Sequence, residues 1–177
     1  MKKASIKLSW KKPAGAAKFV IYANACGKGK KYQKLATTIG KSKTIKKVAG
    51  AKLKNGKYYK FLLVALDANN KVVSTSKTVH VATAGGKVGN NKAVTTKAKK
   101  NKVTIKVGKT FKLAAKTVPA SKKLKVKKHR NVMYETSNKV IATVSKKGVI
   151  KGVKKGTCFV YAYAQNGVFK KIKVTVK

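Results

Sequence analysis

The stretch Tyr134-Glu-Thr-Ser-Asn-Lys-Val-Ile-Ala-Thr-Val-Ser-Lys-Lys-Gly-Val-Ile-Lys-Gly-Val-Lys-Lys-Gly-Thr157 decides how this chain folds. It reads as strand and turn in alternation. Ser137-Asn138 breaks the first run, and Ile141-Ala-Thr-Val144 is a short apolar strand. Lys147-Gly148 makes a tight turn, and Val149-Ile150 opens the next strand. Gly152 and Gly156 are expected to take backbone angles that a Cβ resists. Short strands with turn signals every few residues predict an all-β sandwich.

The same pattern continues on either side. Downstream, Cys158, Val160 and Ala162 alternate with Phe159, Tyr161 and Tyr163. Gln165-Asn-Gly167 suits a three-residue hairpin with glycine in the left-handed position, which places Phe169 opposite Tyr163. Ile172, Val174 and Val176 then face the core while Lys171, Lys173 and Lys177 face out. Upstream, Val103, Ile105 and Val107 alternate with Thr104 and Lys106, and Phe111, Leu113 and Ala115 alternate inward before Pro119.

An independent set of strands occupies the first half. Ile6, Leu8 and Trp10 share one side of a strand that Pro13 and Gly15 end. Phe19-Val-Ile-Tyr22 is apolar on both faces, as a central strand is. Tyr32 to Thr38 and Thr44 to Val48 are further strands. After the Asn55-Gly56 turn, Tyr59, Phe61, Leu63 and Ala65 alternate inward. Leu62, Val64 and Leu66 fall on the other face, either under a neighbouring element or as an open apolar patch. Leu53 ahead of Tyr59 suggests a tyrosine corner, with the hydroxyl tied back to the preceding loop. Val72 to Val81 completes a hairpin. The glycines and asparagines of 85–91 mark a linker. The chain is therefore expected to form two tandem β-sandwiches, 1–84 and 92–177, from about six and seven strands, with no helix.

Charge is the unusual property. There are 46 basic residues against two acids, Asp67 and Glu135, for a net charge of +44. Only Arg130 is arginine. The first 85 residues hold 20 lysines and one acid; the remainder hold 25 lysines, one arginine and one acid. A coat spread over both halves is unlike a single nucleic-acid groove, which concentrates its charge. So few acids leave most lysines without an internal counter-charge, and self-repulsion costs stability. An external polyanion is the expected partner: teichoic acid, an acidic polysaccharide or nucleic acid. Lysine is a hydrated point charge without arginine's fork, which suits delocalised, salt-sensitive attraction rather than base reading.

Two candidate sites stand out. Lys122, Lys123, Lys125, Lys127, Lys128, His129 and Arg130 form the densest basic run, read either as a phosphate, sulfate or carboxylate cradle or as a solvated loop. Phe159, Tyr161, Tyr163 and Phe169 form an aromatic strip. It either stacks sugars or bases, or lies under lysine stems or a neighbouring sheet.

Catalysis finds little support. Acid–base chemistry needs paired titrating groups, and the chain offers two acids and two histidines in total. Cys158 with His129 is a conceivable nucleophile pair, but Cys158 has the core-facing parity and reads better as a buried apolar residue. The two cysteines, Cys26 and Cys158, have neither disulfide-framework nor zinc spacing. No metal and no cofactor is expected. No apolar run approaches roughly 18 residues, the length of a membrane-spanning helix. Met1-Lys2-Lys3 leads straight into strand residues rather than an apolar leader, so the chain is expected to be a segment of a longer protein.

The second half resembles the bacterial Ig-like group 2 domain. The residues that carry the resemblance are Tyr134, Thr136-Ser137-Asn138, Ile141-Ala142-Thr143-Val144, Gly148 and Ile150-Lys-Gly-Val-Lys-Lys-Gly156. The first half is similar to a fibronectin type III domain through Trp10, Tyr22, Leu53 and Tyr59, with the family's first strand missing. That vacancy implies either a cut there or a position for a protein partner by strand addition. Together the resemblances imply an extracellular, secreted or cell-surface module for adhesion, or a structural spacer of a large surface protein, and no enzyme. Fold analogy does not identify the ligand.

Overall fold

The computed structural model describes residues 4–85, 90–121 and 131–177. These fall into two compact units, the first running to Gly85 and the second starting at Asn90. Both are built of strands; a 3-10 turn at Lys99–Asn101 is the one helical element among the described residues. The chain is all-β: two Ig-like β-sandwiches in tandem.

In the first unit the strands are β1 (Ile6–Ser9), β2 (Lys18–Ala25), β3 (Gln33–Thr38), β4 (Ser42–Ile45), β5 (Lys47–Val48), β6 (Ala51–Lys52), β7 (Tyr58–Leu66), β8 (Val72–Thr75) and β9 (Val79–Ala82). One sheet runs β3-β2-β7-β8, with β9 also on β7; the facing sheet is the antiparallel pair β1-β4. Between them lie Ile6, Ile21, Ala23, Ile45, Val48, Leu53, Tyr59 and Phe61. Phe19 packs beside them on Trp10, Ala16 and Ala65. The period-two pattern of Ile6, Leu8 and Trp10 is confirmed, since Lys7 and Ser9 are exposed while those three are covered.

The tyrosine corner is present. The Tyr59 hydroxyl accepts a hydrogen bond from the Lys54 backbone N–H at 2.9 Å, with Leu53 buried beside it. Leu62, Val64 and Leu66 are half-buried, standing opposite Tyr22, Val20 and Lys18 of β2. The hairpin return after β7 differs from expectation. It is two strands, because Ser76 interrupts the ladder: its Oγ accepts from Leu63 N–H in place of a backbone carbonyl.

In the second unit the strands are β10 (Asn91–Thr95), β11 (Lys102–Ile105), β12 (Thr110–Lys112), β13 (Lys116–Pro119), β14 (Met133–Thr136), β15 (Ala142–Val144), β16 (Val149–Gly152), β17 (Gly156–Tyr163) and β18 (Phe169–Val176). A four-stranded sheet β11-β18-β17-β14 faces a three-stranded sheet β12-β16-β15, and β10 pairs with β13. Leu113, Ala142, Ile150, Val160, Ile172 and Val174 are fully enclosed between the layers. β11 runs parallel to β18, while the other pairs of this unit are antiparallel.

Several details correct the sequence reading. Asn91, assigned to the linker, is the first residue of β10 and is buried. Val107 is 46% exposed, because the strand ends at Ile105. Ile141 belongs to the turn before β15. Gly152 has no positive φ; it is glycine because a Cβ there would lie 2.8 Å from the Lys106 carbonyl oxygen and 3.0 Å from Val176. Gly148 does need its freedom: φ is +74°, and the Tyr134 ring lies across its Cα. The turn glycine and the aromatic of the opening stretch are thus one packing unit.

Candidate functional site

The basic run Lys122, Lys123, Lys125, Lys127, Lys128, His129 and Arg130 lies outside the described residues. The aromatic strip lies within the described residues, and it starts with the hairpin. Gly167 (φ +86°) donates its N–H to Ala164, and Ala164 donates to Val168, closing a three-residue loop. The resulting register sets Tyr163 opposite Phe169 and Tyr161 opposite Lys171. Because Cys158, Val160 and Ala162 are buried, strand alternation turns Phe159, Tyr161 and Tyr163 to the outer face.

Three of the four rings form a cluster. Tyr161 stacks on Tyr163 at 6.0 Å between centroids, with 23° between planes. Phe169 meets Tyr161 edge-on at 5.8 Å and Tyr163 at 5.5 Å. These are the offset and edge geometries that aromatic quadrupoles favour. Phe169 remains 49% exposed. Phe159 stands apart, with the Lys171 ammonium 3.8 Å above its centroid. A lysine therefore covers one ring of the strip, while the other three rest on each other.

Sequence reasoning missed Glu135 as a member of this face. It lies on β14 directly opposite Tyr161. The signal was available: Tyr134 packs inward, so its neighbour Glu135 must face outward beside the strip. Tyr163 donates its hydroxyl proton to the Glu135 carboxylate. Burial, then the charge of Glu135, pushes the Tyr163 phenol from its ordinary value of 10 to about 12. The face thus combines three mutually packed rings, a carboxylate acceptor and the Lys171 ammonium.

The raised phenol gives a test. Between the ordinary value of 10 and the native value of about 12, the unfolded chain loses this proton while the native chain keeps it. Stability is therefore expected to be complete below that window and to fall as pH rises through it. An ultraviolet titration of the tyrosinate band should show a late-ionising group that Tyr163→Phe removes. Loss of an early-ionising group instead would contradict the geometry.

The remaining candidates show little chemistry. Burial raises the Cys158 thiol, which lies 3.9 Å from the Thr136 hydroxyl, so it is a weaker nucleophile than a free thiol. Neither Cys26 nor Cys158 is joined in a disulfide. Among the described residues no three His, Cys, Asp or Glu side chains converge to hold a metal ion. No helix among them is long and apolar enough to cross a membrane.

No curated protein sequence matches the chain. Among solved structures, domains 4 and 5 of the S-layer protein SbsC align with a TM-score of 0.42 and 16% identity, covering 73% of this chain and 69% of that one. The fibronectin(III)-like modules of CbhA from Clostridium thermocellum align with a TM-score of 0.34 and 16% identity, covering 99% and 86%. A C-terminal fragment of intimin gives 0.34 and 12%, covering 98% and 57%. The sequence itself is more specific: residues 92–176, from β10 to the end of β18, match the family model of the bacterial Ig-like domain (group 2).

Proposed function

We propose that this chain is a non-enzymatic binding module of a secreted or cell-surface bacterial protein, a fibronectin type III-like sandwich followed by a bacterial Ig-like one. Its lysine coat holds it to anionic polymers such as an envelope teichoic acid, an acidic glycan or nucleic acid. The observation that carries this reading is the charge balance of 46 bases to two acids. Both acids have local work: Asp67 accepts the Lys71 backbone N–H at 2.8 Å, and Glu135 accepts from Tyr163. Neither can offset a coat that extends over both units, so counter-charge must come from outside. The aromatic face of β17 and β18 adds a stacking surface beside Lys171, suited to a ring-bearing polymer.

The test is retention on immobilised teichoic acid, heparin and DNA. Binding to all three is expected in dilute buffer, with affinity falling by about 10³-fold or more between roughly 50 and 200 mM salt. Retention that ignores salt, or no retention on any of the polymers, overturns the reading. A spacer role is the second reading, favoured by the match to a domain family rather than to a ligand site. Acetylating the surface lysines without loss of cell association would support it.

A further inference from the structure

The sheet formed by β1 and β4 has an open side. β1 pairs with β4 alone among the described residues. Trp10 donates its backbone N–H to Lys41 at 3.0 Å, and the register sets Leu8 opposite Lys43 and Ile6 opposite Ile45. Backbone groups of an antiparallel strand alternate between its two edges. Those of residues 6, 8 and 10 therefore face β4, and the N–H and C=O of Lys7 and Ser9 face away from it. No described residue pairs with them.

Two hollows lie along this open side. The first, about 110 Å³, is walled by Leu8, Trp10, Ile21, Phe61, Leu63 and Val79. The second, about 260 Å³, continues past Trp10 to Phe19, Leu63 and Ala65. Trp10 borders both, and its indole N–H is buried with no hydrogen-bond partner. A buried donor left unpaired costs free energy that an incoming acceptor would recover. The rim is basic: Lys7, Lys11, Lys12 and Lys77 are all exposed there.

We propose that the free edge of β1 takes up an extended acidic peptide as an added strand. Its alternate apolar side chains fill the two hollows, its backbone bonds to Lys7 and Ser9, and its outward carboxylates stand beside Lys7 and Lys11. Strand addition draws affinity from main-chain hydrogen bonds and selectivity from pockets for every second side chain. Carboxylates opposite lysines on adjacent strands are the favourable pairing. Charge selects this occupant over a second copy, because two chains of +44 repel each other. The inference stands apart from polymer binding, since it concerns one edge of one sheet rather than the whole coat.

The test uses the full chain and two synthetic peptides of equal composition and charge. One alternates valine and glutamate; the other groups all valines before all glutamates. The alternating peptide is expected to shift the emission of Trp10, the sole tryptophan, and to slow hydrogen exchange at the Lys7 and Ser9 amides. The grouped peptide should bind through charge alone and do neither. Ser9→Pro removes an edge donor at a position where a sheet tolerates proline, and should weaken the alternating peptide by about tenfold. Lys7→Pro gives a second reading of the same edge should the first variant fold poorly. Equal effects of the two peptides, unchanged affinity in both variants, or a Ser9 amide already protected in the free protein would each overturn the proposal. So would self-association that Ser9→Pro abolishes, which would give the edge to a second copy. Retention on DNA or heparin is expected to survive either proline, so failure here leaves polymer binding untouched.

Discussion

Gly148→Val is expected to destabilise the second unit by about 2–5 kcal/mol, the sum of a left-handed backbone penalty of about 1–2 and an overpacking cost of about 1–3. Gly148 has φ +74°, where a β-branched residue is an outlier. A Cβ there would sit 2.5 Å from the Tyr134 ring carbon Cζ and 2.7 Å from its hydroxyl oxygen, so the ring must leave. That ring is half-buried, and a backbone hydrogen bond with Ala115 holds its hydroxyl. The carbonyl of Gly148 also accepts the N–H of Leu113, a fully enclosed core residue. Displacing the turn therefore disturbs β12 and the core together. Urea unfolding followed by far-UV circular dichroism measures the loss. Lys147→Val, at the exposed neighbouring position of the turn, should shift stability by about 0.5 kcal/mol or less. Equal effects of the two substitutions would show that the ring, not the glycine, accommodates.

Phe19→Ala should cost the first unit about 3–5 kcal/mol, the usual range for removing an enclosed aromatic ring. Phe19 has no exposed surface, and its ring meets Trp10 at 5.5 Å with 59° between planes. Trp10 is the only tryptophan, so its fluorescence reports this unit alone. The variant is expected to lower the urea midpoint seen by that signal and to shift Trp10 emission to longer wavelength as water reaches the vacated space. Phe159→Ala provides the contrast. That ring lies on an outer face under Lys171, where a cation over a ring contributes about 0.5–1 kcal/mol. A Phe19 variant no worse than the Phe159 one would contradict the enclosed position of the ring.

Strand identity, inward parity and local turns were legible in the sequence because each depends on neighbours in the chain. The three-residue loop after Ala164 fixed the Tyr163–Phe169 register, and Leu53 with Tyr59 fixed the corner, since both devices span only a few residues. What was illegible depends on distant partners. Gly152 is small because the Lys106 carbonyl, far away in sequence, passes over it. The return strand after β7 splits because the Ser76 hydroxyl replaces a ladder partner, and serine at an exposed position carries no such signal. On the candidate face, alternation and the hairpin placed the four rings but not which of them a lysine would cover. Lys171 is opposite Tyr161 in register yet leans diagonally over Phe159.

The parallel pairing of β11 with β18 has a mechanical consequence. β11 enters near the start of the second unit, and β18 is its last strand. The two lie side by side from Lys102 and Lys173 to Ile105 and Val176, and Val107 and Lys177 extend the pairing by bonds to the Lys177 and Ile105 carbonyls. Tension applied along the polypeptide pulls these strands in opposite senses and loads their cross-strand bonds in shear, all at once. A hairpin pulled at its open end surrenders its bonds one by one. The unit therefore resists stretching through this parallel pair once force entering by way of β10 reaches β11.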